Sequence, residues 1–157
     1  MLRHFNADPA EYAVIFTANA TGALRLVGEA YPFTRRSRLV MSLDNHNSVN
    51  GLREYARSRG AATAYVPVSG PGLRMDEQRL RAALPARERG PGLGLRLGPG
   101  PRRGRAGDRP HGLLAYPAQS NFTGVQHPLT WIAAAQARGY DVLLDAAAYW
   151  YPPTPST

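Results

Sequence analysis

Leu39-Val40-Met41-Ser42-Leu43 is a short apolar run of the kind that forms a buried strand, and the residues after it decide the fold. A polar link, Asp44-Asn45-His46-Asn47, leads into Ser48 to Arg59, which reads as an amphipathic helix ended by Gly60. Thr63 to Val68 is strand-like again. Strand, helix and strand in succession make a crossover unit, the signature of a parallel sheet.

The same alternation extends in both directions. Upstream, Asp8-Pro9-Ala10-Glu11 carries the marks of a helix start, with Asp8 as N-cap, Pro9 in the first turn and Glu11 closing a capping box. That helix must be short, because Ala13-Val14-Ile15-Phe16-Thr17 follows as a compact apolar run predicting a buried strand. Thr21 to Tyr31 then shows helical periodicity through Leu24, Val27 and Tyr31. Downstream of Pro71 and Gly72, Asp76 caps a helix to about Leu84, Gly112 to Tyr116 reads as a strand, Pro128 opens a helix ending near Gly139, and Asp141 to Asp145 is a last buried strand. The expectation is an α/β domain, its mostly parallel sheet covered by helices on both faces. It spans 1–86 and 111–149, with an irregular, Pro- and Tyr-rich tail at 150–157 and an open sheet edge after the last strand.

Between the two parts, residues 87–110 are dominated by Arg, Gly and Pro, with too few apolar residues to offset ordering entropy; the tract reads equally as a disordered insert or a shifted reading frame. The chain has 157 residues, 43% of them hydrophobic, which is enough for one domain with a core. It opens without an apolar run long enough for a signal peptide and contains no run of about twenty apolar residues, so a soluble cytoplasmic protein away from membranes is expected. With no cysteine there is no disulfide framework, thiolate metal site or thiol nucleophile. All 19 basic residues are arginine; the chain contains no lysine. The net charge of +8 suggests nucleic acid as a partner, but seven arginines against Glu88 and Asp108 put five of those charges in the tract from Arg87 to Arg109. That tract has no aromatic residue for base stacking.

In open parallel sheets, ligands bind beyond the carboxyl ends of the strands. Thr17 to Leu24 is rich in small residues that let backbone N–H groups approach a phosphate at a helix N-terminus, although an ordinary turn with Thr21 as N-cap has the same composition. His46 stands at a loop-to-helix junction and could stack on a ring or move a proton; a solvated histidine beside a cap at Asn47 or Ser48 is the plain alternative. Asn121, in Pro117 to Gly124, can donate to a ligand oxygen or serve as turn chemistry. Asp145 ends Val142-Leu143-Leu144, and a buried acid there needs a cationic partner. Four such features, one beyond each of four strands, point to a single ligand site.

Four blocks carry a family resemblance: YAVIFTANATGAL at Tyr12 to Leu24, DNHNSVNG at Asp44 to Gly51, YPAQSNFTGVQHPL at Tyr116 to Leu129, and YDVLLDAAAY at Tyr140 to Tyr149. Together they resemble fold type I pyridoxal-phosphate enzymes of aminotransferase class V. Within that class they look most like the molybdenum cofactor sulfurase branch, which is similar to cysteine desulfurases. The resemblance implies part of a large, cofactor-binding domain. It also implies that Ala20, Thr21 and Gly22 hold the cofactor phosphate, His46 stacks on the pyridine ring, Asn121 bonds the phenolic oxygen, and Asp145 pairs with the ring nitrogen. Desulfurases often carry a glutamine three residues after that aspartate; the position here is Ala148. The family's Schiff-base lysine is expected on a later segment that this chain does not reach, so no catalytic residue is assigned and pyridoxal phosphate would bind non-covalently at most. Full-length relatives of this kind use an amino acid such as L-cysteine as substrate. Homodimerisation, or docking of this chain on a full-length relative, would follow from the same resemblance.

Overall fold

A computed structural model describes residues 2–86 and 112–149; the Arg/Gly/Pro tract at 87–110 and the tail at 150–157 lie outside the described residues. A 3-10 turn at Leu2–Phe5 precedes α1 (Ala20–Ala30). Next come β1 (Arg38–Ser42), α2 (Asn47–Asn50), α3 (Leu52–Ser58) and β2 (Ala62–Val66). A two-stranded hairpin of β3 (Val68–Ser69) and β4 (Arg74–Met75) leads to α4 (Glu77–Ala83), and then to β5 (Gly112–Pro117), α5 (Thr130–Gln136) and β6 (Tyr140–Asp145).

Four strands form one parallel sheet in the order β2-β1-β5-β6, as the alternation of apolar runs and helices anticipated. Period-2 geometry splits each central strand between two cores. Leu39 and Met41 of β1 and Leu113 and Ala115 of β5 pack with Leu24 of α1 and Leu52 and Ala56 of α3. Val40, Leu114 and Tyr116 face the opposite side and meet Leu80 of α4 with Trp131 and Ala135 of α5. The connection β1 to β2 runs one way along the sheet, whereas β2 to β5 and β5 to β6 run the other, and the covering helices change face at that reversal, as right-handed crossovers require. The switch point therefore lies between β1 and β5. Close approach of α1 to α3 depends on Gly28, where a Cβ atom would stand 2.5 Å from the Tyr55 ring.

Several expectations from the sequence need correction. Asp8 does cap locally, its carboxylate accepting from the Ala10 N–H at 2.8 Å, but only a turn follows, not a helix. Ala13 to Thr17 is not a buried strand: it takes no place in the sheet, and Ile15 and Phe16 are 72% and 79% exposed. An apolar run becomes a strand only where a neighbouring edge completes its hydrogen bonds, and no such edge meets it among the described residues. The helix expected from Ser48 to Arg59 is divided at Gly51 into α2 and α3. Gly60, at φ +77°, does end it as expected. The strand expected to reach Val68 stops at Val66, because Pro67 has no N–H to donate and the chain turns into the β3–β4 hairpin. The cap before α2 is His46, not Asn47 or Ser48: its Nδ1 accepts the Ser48 N–H at 3.2 Å.

Candidate functional site

The tips of β1, β5 and β6 and the N-terminus of α1 surround a cavity of about 330 Å³. Ala20, Thr21, His46, Asn121 and Asp145 all border it, together with Asn19, Ser48 and Gln119, none of which the sequence marks as a ligand contact. Gly22 does not border it. Its N–H is taken by the Asn19 side-chain oxygen at 2.9 Å, so Asn19, not Thr21, is the N-cap of α1. The N–H groups of Ala20 and Thr21 precede any intrahelical acceptor and stand at the positive end of an eleven-residue helix.

Ser48 joins two of these elements. Its hydroxyl lies 2.8 Å from the Thr21 hydroxyl and 3.1 Å from His46 Nδ1. Because His46 Nδ1 also accepts the Ser48 backbone N–H, the neutral ring carries its proton on Nε2. Asn121 stands on an exposed loop organised by buried Ser120, whose hydroxyl accepts from the N–H groups of Phe122 and Thr123 at 3.3 and 3.2 Å. Asp145 is half-buried rather than buried, and no cation of the described residues pairs with it; its Oδ1 accepts only the Ala147 N–H, at 3.0 Å. The cationic partner expected from the sequence is thus not supplied by a described side chain. Ala148 borders the cavity with a methyl group alone, so no side-chain hydrogen bond comes from that position.

Beneath the cavity, Asp44 and His127 form a buried pair that local sequence gave no means of finding. Asp44 Oδ2 is 2.9 Å from His127 Nε2, both side chains are 2% exposed, and the Ser42 hydroxyl donates to the other Asp44 oxygen. Burial alone would raise the Asp44 carboxyl, but the hydrogen bonds from His127 and Ser42 and the charge on His127 outweigh it and hold the carboxyl below its usual range.

Fold and loops together define a parallel α/β protein whose polar strand tips converge on one crevice at the switch point. The same architecture occurs in a solved structure of a C-DES lysine-to-alanine mutant with glycine covalently linked to its PLP cofactor (TM-score 0.66, 19% identity, covering 94% of this chain and 34% of that one). No family model matches the chain. By sequence it is 33% identical over 141 residues to the molybdenum cofactor sulfurase of Arabidopsis thaliana, covering 82% of this chain, and 34% identical over 164 aligned positions to that of Bos taurus, covering 95%. In each case it spans 16% of the relative's length. Over that shared stretch the chain is similar to the molybdenum cofactor sulfurases, and its fold is that of the PLP-bound C-DES structure.

Proposed function

We propose that the crevice between β1 and β5 is a pyridoxal-phosphate site of the sulfurase kind. The observation that carries this reading is convergence: Ala20, Thr21, His46, Asn121 and Asp145 come from four separate segments and border one cavity. The N–H groups of Ala20 and Thr21, without an acceptor among the described residues, suit a phosphate together with the Thr21 hydroxyl. His46, held by Ser48 at its Nδ1 edge, offers a ring face and an Nε2 proton to whatever occupies the crevice. Asn121 offers an amide donor to a ring oxygen. Asp145, without a cation among the described residues, suits a protonated ring nitrogen. When bound, pyridoxal phosphate supplies an electron sink that stabilises a carbanion beside the amino group of an amino acid such as L-cysteine.

This lysine-free chain offers no side-chain amine for covalent attachment, so the cofactor would be held by polar contacts alone and the chain by itself would not turn over substrate. Titration with pyridoxal phosphate, followed by absorbance and calorimetry, should give saturable binding that dialysis reverses. Borohydride should leave no reduced cofactor on a crevice side chain, and L-cysteine should yield no sulfide. Failure to saturate defeats the proposal; reduced cofactor fixed to a crevice side chain defeats its non-covalent part.

A further inference from the structure

We propose that His127 is a positioning residue for the crevice, acting with Asp44 as a buried clamp that sets His46 and Asn121 at their working separation. The inference rests on the pyridoxal-phosphate reading of that crevice. Asp44 lies two residues before His46, and His127 lies six residues after Asn121, so their 2.9 Å contact spans the two loops that flank the switch point. Since Asp44 is a carboxylate, it can only accept, and His127 Nε2 is the donor. A second bond across the same gap runs from the Ser120 hydroxyl to the Asp44 carbonyl at 3.4 Å.

The clamp reaches the third loop as well. His127 N–H donates to the Ala118 carbonyl at 2.9 Å, and Ala118 N–H donates to the Asp145 carbonyl at 2.8 Å. One line of hydrogen bonds therefore connects the tips of β6, β5 and β1. The His127 ring cannot swing away, because it stacks on Trp131 at 5.6 Å and meets Tyr116 edge-on at 6.5 Å. A hydrophobic pair would fill this space with less desolvation cost. What such a pair lacks is direction, and direction is what sets one loop against another.

His127→Phe keeps an aromatic ring against Trp131 and removes the donor. We expect its dissociation constant for pyridoxal phosphate to rise about tenfold, and His127→Gln, whose amide can still donate to Asp44, to recover most of that loss. In the ligand-free protein, the NMR signals of the His46 ring and the Asn121 side-chain amide should both move in His127→Phe and return toward their original positions in His127→Gln, while the Glu29 amide at the far end of α1 stays put. A phenylalanine variant that melts earlier but leaves both signals unmoved overturns the proposal, because the pair would then be structural only. The same holds if both variants bind the cofactor as the parent does. Should His127→Phe not fold, Asp44→Asn takes its place, with smaller displacements of both signals expected and none overturning the idea. If the parent protein binds no pyridoxal phosphate, the function proposed for the crevice fails, while the ligand-free spectra still decide the clamp.

Discussion

Asp44 and Asp145 are both acids at strand tips, and the structure separates them by what surrounds each. Asp44 is buried against His127 and Ser42 and is held ionised. Its folded pKa is depressed, so its contribution to stability is fully present above the unfolded value of about 3.9 and is lost as pH falls through the lower folded value. Asp44→Asn should therefore cost about 2–3 kcal/mol near neutral pH, shrinking toward zero in strong acid; urea unfolding of both proteins across pH 2–7 measures the difference. A gap between the two proteins that does not narrow in acid contradicts this. Asp145, half-buried with one local bond to Ala147, should behave oppositely. Asp145→Ala is expected to weaken pyridoxal-phosphate binding by about tenfold or more while shifting stability by under ~1 kcal/mol. Parallel calorimetry and thermal melts check both halves. Asp145 was visible in the sequence because an acid directly after a strand is conspicuous. The importance of His127 was not, since its partner lies 83 residues away.

Among the elements, the helices and the sheet strands were read most directly, and the segment before them least. Asp76 caps α4 as expected, its carboxylate taking the Arg79 N–H at 2.9 Å, because capping is decided by residues three positions apart. Ala13 to Thr17 shows the limit of such local reading: its composition suits a strand, yet nothing in five residues specifies a pairing edge. The approach of α1 to α3 is equally non-local. Gly28→Ala would drive a methyl group into the Tyr55 ring, which can yield only by moving α1 or repacking, so a loss of about 1–3 kcal/mol is expected by thermal unfolding. Because α1 carries Ala20 and Thr21 at its start, the same variant should weaken phosphate-end contacts more than it disturbs Asp145. An unchanged melting temperature would mean that the two helices are not held this closely.

For the molecule as a whole, the order β2-β1-β5-β6 places β1 and β5 at the centre and leaves β2 and β6 with one sheet partner each among the described residues. Amide exchange should consequently be slowest at Val40 and Leu114, whose residues are fully buried, and faster along β6, where Val142 to Asp145 are only half-buried. Equal protection of β6 and β1 would contradict this arrangement. By itself the sequence determined the parallel α/β class, the positions of most helices and sheet strands, and the chemical types gathered at the strand tips, because periodicity, caps and turns act over a few residues. Only the tertiary structure decided that β1 and β5 are neighbours, that Ala13 to Thr17 stays outside the sheet, and that Asp44 meets His127. Those outcomes depend on strand order and side-chain burial between segments far apart in the chain, and neither is encoded within any short stretch of it.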